Sequence, residues 1–78
     1  MLGFDRITFD PAILGGRACI RGMRITVSLI VNLVASGATV EEILDEHPDL
    51  ERDDIVEALK YAAWLAEESV RPTEPATR

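Results

Sequence analysis

Three helices behind a short N-terminal β-arm or hairpin, in one mainly α-helical domain, is the fold this sequence predicts. Helical apolar spacing runs from about Val27 to Ser69 and breaks only at Gly37-Ala38 and His47-Pro48-Asp49. Strand-like alternation with glycine turns is confined to the residues before Val27. Capping signals stand ahead of the helical segments. At 78 residues the chain is one domain at most. Residues 1–26 are assigned to the arm, 27–70 to the tri-helical unit and 71–78 to a polar tail.

The arm begins with Ile7-Thr8-Phe9, an apolar–polar alternation that Asp10-Pro11 breaks. Gly15-Gly16 signals a turn. Ala18 to Ile25 again has extended character, with Gly22 as a bulge or bend. Two strands alone are marginal in water, so the arm has to pack on something. Helix one is expected from Val27 to Ser36, with Thr26 as N-cap and Gly37 as C-cap. Only Ser28, Asn32 and Ser36 interrupt its apolar surface, which predicts a central helix buried on nearly all sides. Helix two opens on Thr39-Val-Glu-Glu42, a capping box, carries Val40, Ile43 and Leu44 inward, and ends before Pro48. Helix three is expected from Arg52 to Ser69, with Leu50 and Ile55 placed for a hydrophobic staple and Asp53 and Asp54 at the positive end of its dipole. Its core stripe is expected on Ile55, Leu59, Ala62 and Ala66. Tyr61, Trp64 and Leu65 fall off that stripe and make a second apolar face, either a partner contact or a surface covered by the arm or tail. Helix, short helix and longer helix with tight joints is an arrangement of helix-turn-helix type.

The net charge of −6 is unevenly spread. Residues 1–37 hold Arg6, Arg17, Arg21 and Arg24 against Asp5 and Asp10, whereas residues 38–78 hold four cations against twelve carboxylates. Such a split fits a binding module with two differently charged faces. Cys19 is the only cysteine, so no internal disulfide exists and a reducing compartment is expected. No apolar run reaches the length of a membrane span and no leader is recognisable, which predicts a cytoplasmic protein.

Catalysis has no candidate among these residues. His47 is the single histidine, which leaves no base for a nucleophile and no metal-ligand spacing. The glycines match no phosphate loop, and no cofactor is expected. Arg17, Arg21 and Arg24 are the nucleic-acid candidates, since arginines on a ribbon can meet phosphates or bases. The same three can equally pair with the acidic helices, and pairing is favoured. Helix three is a poor reading helix, because its start, expected to be exposed, carries Asp53, Asp54 and Glu57.

The stretch Gly16-Arg-Ala-Cys-Ile-Arg-Gly-Met-Arg-Ile-Thr-Val27 resembles the hallmark of the domain-of-unknown-function family DUF433. What surrounds it is also similar: Ile7 with Asp10-Pro11 and Ile13-Leu-Gly-Gly16 upstream, then Gly37, Val40 to Leu44, His47-Pro48 with Leu50, Asp54-Ile55, and Ala58-Leu59 with Tyr61-Ala62. Ala18 and Thr26 stand where proline is usual, Met23 where threonine is usual, and Glu51 where Thr or Ser is usual. The resemblance implies a homeodomain-like helical fold and a VapB-type antitoxin that blocks a PIN-like ribonuclease toxin and represses its own operon. It implies no catalytic residues. A stand-alone DNA-binding regulator and a purely structural oligomerising subunit are the alternatives. A homodimer is expected, from the apolar first helix and the unpaired edge of the arm. Tyr61, Trp64 and Leu65 are assigned to the partner contact.

Overall fold

Thr26, Thr39 and Glu51 set the starts of the three helices in the computed structural model, which describes residues 3–69. Helix α1 spans Val27–Ala35, α2 Val40–Glu46 and α3 Arg52–Ser69. The Thr26 hydroxyl accepts from the Leu29 N–H at 2.9 Å. Thr39 and Glu42 close their capping box in both directions, at 3.1 and 2.8 Å. Such caps contribute about 1 kcal/mol each by satisfying orphan helix donors. At the end of α1, Gly37 takes φ +99°. That lets the Ala38 and Gly37 N–H groups return to the Leu33 and Val34 carbonyls, each at 3.0 Å. This is a Schellman stop, with the cap one residue earlier, at Ser36.

The arm is a two-stranded antiparallel hairpin, β1 (Ile7–Thr8) with β2 (Cys19–Ile20), in the register Ile7 opposite Ile20 and Thr8 opposite Cys19. The segment Ala18–Ile25 is not one extended strand. Ile20 donates to the Ile25 carbonyl at 2.9 Å, and Met23 donates back to Ile20 at 2.7 Å. The chain therefore reverses at Arg21-Gly22, whose φ values of +44° and +73° have the signs of a type I′ turn. Glycine enters that region freely, whereas an arginine at positive φ costs on the order of 1 kcal/mol. A bridge between Cys19 and Thr26 then delivers the chain to the start of α1.

Ile20, Ile30, Ile43, Ile55 and Ala58 are fully or almost fully buried and, with Ile7, Val27, Leu50 and Tyr61, form one core. Helix α1 is not buried on all sides. Only Val27 and Ile30 are buried, while Leu29, Val31, Leu33 and Val34 remain half-buried. The stripe of α3 is also rotated from the expected one. It runs through Asp54, Ile55, Ala58 and Tyr61, while Ala63 and Ala66 are exposed. Alanines bury little area, so they cannot hold a helix face inward against larger neighbours. No helix among the described residues is long and apolar enough to cross a membrane. The 71–78 tail lies outside the described residues.

Candidate functional site

Two arrangements of side chains meet on α3, one polar at its start and one apolar along its second half. The polar one is centred on Asp54, the third residue of the helix, whose carboxylate is wholly buried. Its Oδ2 accepts from the Glu51 backbone N–H at 2.8 Å, one half of a capping box. Arg21 approaches it side-on, Nε to Oδ1 at 3.0 Å and Nη2 to Oδ2 at 2.9 Å. Arg6 adds Nη1 to Oδ1 at 2.8 Å. The same two arginines reach beyond Asp54: Arg21 to the Asp49 carbonyl at 2.8 Å, Arg6 to Glu51 Oε1 at 2.8 Å. The Arg6 backbone N–H donates to Glu57 at 2.6 Å. The arm is thus clamped to α3 from the residue that precedes β1 and the residue that follows β2.

Burial alone would push the Asp54 carboxyl up. The hydrogen bonds from Arg21, the Glu51 backbone and Arg6 outweigh it and hold the group at about 2, below its ordinary 3.8. Both guanidinium groups are raised in turn, Arg6 by Glu51 and Asp54, Arg21 by Asp54. Glu41 on α2 is lowered by its hydrogen bond from Arg52, a surface pair at 2.7 Å. Exposed pairs of that kind add little to stability.

The three arginines grouped by sequence are separated by this geometry. Arg21 and Arg17 do not share a strand face, because Arg21 sits in the turn and is committed to Asp54. Arg24 is exposed just past the turn, and Arg17 lies on the wall of a groove. The start of α3 is acidic but not simply exposed, since Asp54 is buried and Glu57 half-buried. Asp54, Arg6, Glu51 and Glu57 were missed as a site. The Glu51-x-x-Asp54 spacing was the available signal, a capping box with glutamate in place of the usual hydroxyl.

Tyr61 also needs correction: at 6% exposure it belongs to the core and not to a free face. Its ring meets Phe4 edge-on at 5.3 Å and Phe9 at 6.0 Å, so the arm supplies its cover. Trp64 is half-buried, 5.8 Å from Phe4 and 6.0 Å from Tyr61. Leu65 differs. It continues the inward stripe of Asp54, Ala58 and Tyr61 by one more turn, yet remains 40% exposed. It lies in a groove of about 540 Å³ between α1 and α3, with Phe9, Val27, Val31, Tyr61 and Ala62 among its lining. Ser28 and Asn32 line it from α1. Among the described residues no cluster of three His, Cys, Asp or Glu side chains could hold a metal ion.

Residues 7–62 match the family model described as a protein of unknown function, DUF433. The uncharacterized protein y4eO of Sinorhizobium fredii is 39% identical over 56 residues, which make up 72% of this chain but 25% of y4eO. The crystal structure of a DUF433 member from Anabaena variabilis superposes with a TM-score of 0.73 at 33% identity, over 81% of this chain and 62% of that one. The chain therefore spans a quarter of one relative and less than two thirds of the other. The matched region takes in the hairpin, α1, α2 and α3 as far as Ala62, including the Arg21–Asp54 pair. With that span and the shared three-helix fold, the chain belongs to the DUF433 family.

Proposed function

We propose that the domain is the antitoxin-like binding module of a toxin–antitoxin pair, acting in the cytoplasm by docking on a PIN-like ribonuclease, without cofactor or catalysis of its own. The observation that carries the binding reading is the open continuation of the core. The α3 stripe runs on to Leu65, where no element of the chain among the described residues covers it. A small domain that leaves such an apolar groove open has a surface suited to a partner. The kind of partner is what the DUF433 resemblance of the Gly16–Val27 motif implies, a PIN-like toxin facing a VapB-type antitoxin. Homodimerisation belongs to the same proposal and uses a different surface, the half-buried Leu29 and Leu33 of α1. Recognition of operator DNA has less support. With Arg21 committed to Asp54, Arg17 and Arg24 supply about two phosphate contacts, a small fraction of what operator binding draws on.

Co-expression tests the proposal. The product of the adjacent reading frame is expected to be PIN-like, to arrest growth alone, and to be relieved and co-purified by this chain. The isolated chain is expected to sediment at twice its own mass. Growth arrest that persists in its presence, with no complex recovered, would reject the antitoxin role.

A further inference from the structure

The lining of the α1–α3 groove carries two polar features that specify an occupant. Tyr61, only 6% exposed as a residue, lines the groove, and its hydroxyl takes part in none of the side-chain hydrogen bonds found among the described residues. A buried tyrosine hydroxyl ordinarily has one, so an acceptor is wanted at this place. Arg17 is exposed on the same lining and makes no ion pair among the described residues, whereas Arg6, Arg21 and Arg52 each do. The rest of the helical surface is rich in carboxylates, so a negatively charged ligand is attracted here and repelled elsewhere.

Building on the protein-binding reading, we propose that the groove receives an amphipathic helix of the partner protein. Its apolar face lies between α1 and α3, one of its carboxylates meets Arg17, and one of its acceptors takes the Tyr61 hydroxyl. A helix laid over two helices already side by side buries both of their open edges, which is the usual way a groove of this kind is filled.

Displayed libraries of helical peptides about four turns long, selected on the full chain, supply the probe. The strongest binder is then made with a fluorescent label and titrated by anisotropy. Selected peptides are expected to carry apolar residues at helical spacing with a flanking Asp or Glu. Leu65→Glu is expected to abolish binding. Arg17→Glu is expected to weaken it at least about tenfold, with recovery when the peptide carboxylate is changed to lysine. Tyr61→Phe is expected to weaken it about fivefold while the melting temperature stays level or rises. Circular dichroism is the check that each variant folds, which the exposure of Leu65 and Arg17 favours. Peptides without acidic residues, or binding indifferent to these substitutions, would overturn the proposal. So would a dimer that Leu65→Glu converts to monomer while no peptide binds, which would assign the groove to a second copy. Peptide binding of the expected kind beside a failed complex with the PIN-like protein would reject that choice of partner and leave the groove's specificity standing.

Discussion

Replacing Asp54 with alanine is expected to remove about 3–5 kcal/mol of folding stability, the usual cost of breaking a buried ion pair from one side. Three separate functions are lost at once. Glu51 loses its capping acceptor, and Arg6 and Arg21 lose the carboxylate that ties the arm to α3. Arg21 would then hold its positive φ without the pairing that offsets it. Total stability of about 5 kcal/mol is normal for a domain this small, so the variant should be largely or wholly unfolded. Urea unfolding followed by circular dichroism and by Trp64 fluorescence measures the loss. A midpoint matching the parent protein would remove Asp54 from the account of stability. The same pair sets an acid limit. A carboxyl lowered in the folded state contributes fully above its unfolded value of 3.8, and that contribution fades as pH falls toward about 2. The stabilisation involved is on the order of 2 kcal/mol. Asp54→Asn should flatten this part of the pH–stability curve.

Tyr61→Ala is the second large effect, with an expected loss of about 3–5 kcal/mol from folding. The substitution empties a core position and strips Phe4, Phe9 and Trp64 of their shared neighbour. Trp64→Ala should cost less, about 2 kcal/mol, because the ring is only half-buried and its pairing is worth about 1 kcal/mol beyond area. Thermal melts of the two variants side by side give the order. If Trp64→Ala proved the more damaging, the aromatic cluster would be centred one turn later than the structure puts it.

Local signals in the sequence were sufficient for the helices and insufficient for the site. Thr39-Val-Glu-Glu42 contains both partners of its capping box within four residues, and the Arg52 start of α3 follows from Leu50 and Ile55 flanking the cap in the same way. The buried Asp54 was not legible. Its partners Arg21 and Arg6 lie 33 and 48 residues away, and its one local mark, the capping position three residues after Glu51, says nothing of burial or of the arginines. Arg21 was misplaced for a related reason. The two-residue strand period holds only while the backbone is extended, and the turn at Arg21-Gly22 ends it. On α3 the expected stripe leaned on alanines, and the large residues Tyr61 and Leu65 decided the true one. Which of those two would be covered depended on Phe4 and Phe9, which reach Tyr61 from the arm and leave Leu65 in the groove.

Partner recognition is expected in the α1–α3 groove, while Arg21 serves the fold. The most direct measurement is an amide NMR titration of the isotope-labelled chain with the product of the adjacent reading frame. Shifts are expected to gather at Val27 to Asn32 and at Tyr61 to Leu65, with Arg17 joining them and the Arg21 and Asp54 amides unmoved. Shifts that gather instead at Arg21 to Arg24, with the groove silent, would contradict it.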